Sequence, residues 1–187
     1  MKRILFFAFL FVATSANTFA QSALPPVDKS VLDISYYPNN FTLLKIQDKV
    51  TDPLAARVIY SRPLKNNRNI FGDLIEYGKV WRLGANEATE IEFYQNVKIN
   101  NTPVKKGRYT LYTIPYADKW TFILNKELDT WGSFKYDQKK DILRTDVPVQ
   151  KQADTTEAFT MYFDKKEKGF ALNAIWDTVK VSLPISL

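Results

Sequence analysis

Neither histidine nor cysteine occurs in the 187 residues. Without histidine there is no Ser-His-Asp or Cys-His nucleophilic system. Zinc, copper and non-haem iron centres built on imidazole are excluded as well. Only oxygen-ligand cations such as Ca²⁺ stay available, and the spacing of Asp52, Asp73 and Asp137 does not resemble a calcium loop. Acid–base chemistry would fall to Asp, Glu, Lys or Tyr. Without cysteine there is no disulfide framework, no thiolate chemistry and no lipid-modified N-terminus. No cofactor is expected. Stability must come from packing, for which 13 Phe, 10 Tyr and 4 Trp are available.

Long apolar runs are scarce too. The one candidate is Ile4 to Val12, behind the positive pair Lys2-Arg3 and ahead of Thr18-Phe19-Ala20. This is the pattern of a signal peptide over residues 1–20, with Gln21 as the mature start. Nine apolar residues fall short of the ~20 that span a bilayer. An uncut N-terminal anchor is the alternative. The expected location is therefore periplasmic or extracellular. Cleavage would remove Lys2 and Arg3 and no acid, lowering the formal net charge from +6 to +4. The basic residues are dispersed, with no block longer than pairs such as Lys139-Lys140 or Lys165-Lys166. A nucleic-acid partner needs a concentrated basic face, so none is expected.

Residues 21–29 carry Pro25 and Pro26 and no periodicity, and read as a flexible lead-in. From Val31 the apolar period is two. Tyr109, Leu111 and Thr113 share a face. So do Trp120, Phe122 and Leu124, then Phe159, Met161 and Phe163, then Phe170, Leu172, Ala174 and Trp176. Such alternation marks half-buried strands. Turn signals at Asn100-Asn101, Tyr116 to Lys119 and Lys165 to Gly169 separate them. The expectation is an all-β chain: one antiparallel β-sandwich over 30–187, jelly-roll-like or Ig-like, with about ten strands. Short helices are expected only within 47–56 or 137–144.

Residues 61–89 break the alternation. They hold Gly72, Gly78 and Gly84, half of the glycines, with Arg62, Arg68, Arg82, Asp73, Glu76 and Glu87. A long structured loop inside a small domain is often functional. Arg62, Arg68 and Arg82 supply planar forks suited to a carboxylate, phosphate or uronic acid, and Asn86 and Glu87 suit hydroxyls. The alternative is an internal Arg–Glu network that pins the loop to the sheet. Trp131, beside Gly132 in a polar loop, is either a stacking platform or core, whereas Trp81, Trp120 and Trp176 read as core. Glu90 and Glu92 lie two apart in a strand and read as a solvated face.

The same residues carry a resemblance. Ser61-Arg62-Pro63, Arg68 with Ile70-Phe71-Gly72, Tyr77-Gly78, Val80-Trp81-Arg82 and Gly84 to Thr89 are similar to the signature of an exported bacterial family of unknown function. It is number 2911 in the domain-of-unknown-function series. The likeness continues through Gly107, Tyr109, Leu111, Thr113 to Pro115, Trp120 to Asn125, Trp131-Gly132, Asp141 and Leu143-Arg144, covering roughly residues 30–186. Near Lys65–Asn67 the chain departs from the pattern, where glycine is more usual. The resemblance implies export and a single domain; it implies no reaction, substrate or cofactor. The leading expectation is a non-catalytic module binding a small polar, anionic or glycan-like ligand through 61–89. A glycan hydrolase using Glu87 with a second carboxyl, and an envelope-interaction protein, are the alternatives.

Overall fold

The computed structural model describes residues 24–187. The expected signal peptide and the first residues of the lead-in lie outside them. Ten strands follow in chain order: β1 (Leu32–Tyr37), β2 (Ala56–Ser61), β3 (Glu90–Phe93), β4 (Val97–Ile99), β5 (Thr102–Val104), β6 (Gly107–Pro115), β7 (Lys119–Asn125), β8 (Asp141–Pro148), β9 (Gln150–Lys166) and β10 (Gly169–Ser186). They form a six-stranded sheet of order β1-β2-β3-β6-β7-β8 and a four-stranded sheet of order β5-β4-β10-β9. Every pairing between these strands is antiparallel.

Period-two alternation sends one side of each strand inward, so the two inner faces make the core. Val58, Tyr60, Ile91, Leu111, Phe122 and Leu124 come from the larger sheet, and Phe159, Met161, Phe163, Leu172, Val181 and Leu183 from the smaller. An aromatic cluster joins the sheets. Trp81 stacks on Trp176 at 6.1 Å and meets Trp120 edge-on at 5.7 Å. Phe159 closes it 5.3 Å from Trp81.

The helical content is small; one piece is displaced from its expected place and the other falls within it. Helix α1 covers Phe41–Ile46, just before the 47–56 window. Within that window Asp48 takes a positive φ of 54°, and Pro53 removes a backbone donor. In the second window only Gln138–Lys140 forms a 3₁₀ turn, with the Asp137 carboxylate accepting from the Lys139 amide at 2.9 Å. Leu143, Thr145 and Val147 then alternate inward and carry the chain into β8.

Strand β9 is an outer strand of the smaller sheet, and its carbonyls need donors. Side chains from the other sheet supply them. Arg62 Nε donates to the Phe159 carbonyl at 3.3 Å, and Ser35 Oγ and Tyr60 Oη donate to that of Met161 at 2.7 and 3.1 Å. Asn39 Nδ2 donates to the Phe163 carbonyl at 3.0 Å. This seam closes one side of the sandwich.

The outer face of the six-stranded sheet is covered in part. Ala88, Tyr112 and Ile123 are buried there with Val80, Ile114 and Tyr136 against them. Burial, then a hydrogen bond to Asp141, pushes the Tyr136 phenol up to about 12. The folded state therefore holds that proton more tightly than the unfolded chain, whose phenol titrates near 10. The contribution of Tyr136 should be level below pH ~10 and fall between ~10 and ~12, by about 1 kcal/mol after discounting for partial exposure. Urea midpoints at pH 9 and 11.5 check this: the wild type should lose more than Tyr136→Phe.

Candidate functional site

Within residues 61–89 the chain makes one compact excursion, Arg82–Thr89, between two points anchored along β6. Trp81 exchanges both backbone hydrogen bonds with Thr113, at 2.7 and 3.0 Å. The Leu111 amide donates to the Thr89 carbonyl at 2.8 Å. The loop closes on itself: the Thr89 amide donates to the Arg82 carbonyl at 3.0 Å, and Thr89 Oγ1 donates to that of Leu83 at 2.5 Å. Trp81 Nε1 donates to the Gly84 carbonyl at 3.2 Å, tying the loop to the aromatic cluster. Leu83 is fully buried with a φ of 57°. A leucine there is strained, and such strain concentrates at functional sites. Nothing in the residue type signals it.

Two cavities open beside this loop. The first, about 550 Å³, is lined by Lys29, Arg68 and Arg82, with Trp176, Pro63 and Gly84 among the walls and no acid in its lining. The second, about 430 Å³, is lined by Asn86, Glu87, Thr130, Asp28, Glu90 and Asp129 and contains no basic residue. Ser30 lines both.

Arg82 is half-buried, its Nε is enclosed without a hydrogen-bond partner, and no carboxylate pairs with it among the described residues. Burial pulls its pKa below the ordinary arginine value. A desolvated cation without a counter-charge is costly, and an unmade buried hydrogen bond adds ~1–3 kcal/mol. Arg68 differs. It is exposed, and it donates from Nε to the Lys65 carbonyl at 2.9 Å and from Nη2 to that of Leu64. Asn66 and Asn67 next to it have φ of 49° and 57°. Asparagine tolerates that region.

Arg62 belongs to neither cavity. Its Nη1 lies 3.0 Å from Asp33, its Nη2 donates to Thr160 Oγ1 at 2.9 Å, and its Nε caps β9. It ties the end of β2 to β1 and β9 through Asp33, Phe159 and Thr160. Asn86 donates to Asp28 at 2.8 Å, and Glu87 is exposed. Trp131 is 61% exposed; it follows Thr130 in the chain and forms a bridge with Glu87, both of which line the second cavity. The six candidate residues therefore do not converge on one pocket. Arg68 and Arg82 line one cavity, Asn86 and Glu87 the other; Trp131 lines neither and neighbours the second through its bridge with Glu87, and Arg62 lies in the seam.

The lead-in was the part that sequence reasoning missed. Asp28, Lys29 and Ser30 line the cavities despite showing no periodicity. Arg108 was missed as well: it holds Asp129 at 2.9 Å and Glu90 at 3.4 Å. A glycosidase acid must be sheltered in apolar surroundings. Of the carboxyls lining the second cavity, Asp28 and Glu87 are exposed, and Glu90 and Asp129 are engaged by Arg108. Among the described residues no cluster of acids is arranged to hold a metal ion, and no helix is long and apolar enough to cross a membrane.

No curated protein and no solved structure matches the chain. One family model does match, that described as a protein of unknown function (DUF2911), over residues 44–185, which takes in the loop, both arginines of the first cavity and Trp131. The chain belongs to that family, DUF2911.

Proposed function

We propose that the protein is an exported, non-catalytic binding module whose Arg82–Thr89 loop captures a small polar anion: a carboxylate, a phosphate or an acidic sugar. The observation that carries this reading is the Arg82 guanidinium. It is half-buried, has no acid partner among the described residues, and faces a cavity shared with Arg68 and Lys29. A purely structural arginine is expected to resemble Arg62, with a carboxylate, a carbonyl and a hydroxyl satisfying its fork. An incoming anion would give Arg82 the acceptors that the fold withholds, in partly desolvated surroundings where charge-assisted bonds are strong. The export signal at residues 1–20 supports placement in the envelope or outside the cell, where organic acids and glycans are available ligands.

A thermal-shift screen over organic acids, phosphates and neutral and acidic sugars tests the proposal. At least one anion should raise the melting temperature of the wild type, and that rise should vanish in Arg82→Gln and persist in Arg62→Gln. An absence of stabilising anions, or equal shifts in Arg82→Gln, would overturn it.

A further inference from the structure

We infer that the two cavities are adjoining subsites for one ligand, an acidic saccharide in which a charged unit is joined to a neutral, hydroxyl-rich one. This rests on the anion-binding reading of the Arg82 cavity and extends it. Three observations carry it. First, Ser30 lines both cavities, so they adjoin there and a ligand of two rings can reach from one to the other.

Second, the charges are segregated. Every charged residue lining the first cavity is basic, and every one lining the second is acidic. An anion placed in the second cavity would face Asp28 and Glu87, the two lining acids that Arg108 does not engage. Its occupant must bring donors instead, and sugar hydroxyls do so to carboxylates, to the Asn86 amide and to the Thr130 hydroxyl. Selection against a second anion is built in by repulsion.

Third, an aromatic surface stands at the acidic end. Trp131 and Glu87 are cross-strand partners, so their side chains project from the same face. The Trp131 backbone is held on both flanks: the Ala88 amide donates to the Thr130 carbonyl at 2.9 Å, and the Gly132 amide to that of Asn86 at 2.9 Å. Gly132 takes a φ of 65°, and a Cβ there would stand 2.8 Å from the Phe134 ring, which is itself 85% exposed. A pinned loop that turns two large aromatic rings to solvent suits the apolar face of a pyranose.

The test is calorimetric, on the full mature chain. The probes are an aldobiuronic acid (a uronic acid linked to a neutral sugar), the free uronic acid, a diuronic acid and a neutral disaccharide. The aldobiuronic acid should bind roughly tenfold tighter than the free uronic acid and the diuronic acid. Trp131→Ala, an exposed change, should bring its affinity down to that of the free uronic acid while leaving the latter unchanged. Arg82→Gln should abolish both. If Trp131→Ala has no effect, or the diuronic acid binds equally well, the second subsite is refuted while the anion site stands. If the free uronic acid does not bind, or binds Arg82→Gln as well as wild type, the anion site itself fails for this class of ligand and the extension fails with it.

Discussion

Trp81→Ala is expected to cost about 3–5 kcal/mol, the range for deleting a buried large aromatic. Trp81 is 4% exposed and packs against Trp176, Trp120, Phe159 and Phe71. These neighbours come from both sheets and from the irregular segment, so the cavity cannot collapse without moving strands. The loss has a second part. With the indole gone, the Gly84 carbonyl loses its donor, and the Arg82–Thr89 loop loses its tie to the core. Trp81→Phe should recover much of the packing and none of that hydrogen bond. Urea denaturation followed by circular dichroism would measure both variants. A loss below about 1 kcal/mol for the alanine variant would contradict the packing described.

Gly169→Ala should destabilise by roughly 3 kcal/mol or more, although it adds a single methyl group. Gly169 has a φ of 138°, and a Cβ there would stand 2.3 Å from the Ile185 carbonyl oxygen. That oxygen is backbone of β10 and cannot rotate away. Gly107 is the control. Its φ of 147° is similar, but the nearest atom a Cβ would meet is the Tyr109 hydroxyl at 3.7 Å. Gly107→Ala should therefore cost only the strain of the conformation, about 1 kcal/mol. Equal melting points for the two variants would show that the close approach at Gly169 is not as described.

The strands were legible because each buries one face, and alternation at Trp120, Phe122 and Leu124 or at Phe159, Met161 and Phe163 records that directly. The hairpin turns were legible for the same kind of reason, since Asn100 and Asn101 both adopt the positive φ their residue type tolerates. Helix α1 was not. Its six residues bury none of their side chains, so no helical period is imprinted on Phe41–Ile46. The candidate site was half legible. Irregularity and arginine content pointed to 61–89, whereas Trp131 beside Gly132 read equally as a core or an exposed ring, and it is exposed. What composition cannot register is pairing across long sequence separations. Arg62 and Arg82 read alike in the chain, yet one meets Asp33 across the β1–β2 pair and the other meets no acid among the described residues. Asp28 to Ser30 were invisible because a coil segment carries no period, whatever it lies against.

The central claim is that Arg82, and not the arginines in general, supplies the anion contact. Side-chain nitrogen NMR of ¹⁵N-labelled protein, titrated with the best anion from the thermal screen, tests it most directly. The Arg82 Nε–H resonance, assigned by its loss in Arg82→Gln, should shift saturably, while that of Arg62, occupied by the Phe159 carbonyl, should hold its place. An Arg82 signal that stays fixed while the protein binds, or a uniform drift of all arginine signals with ionic strength, would contradict the account.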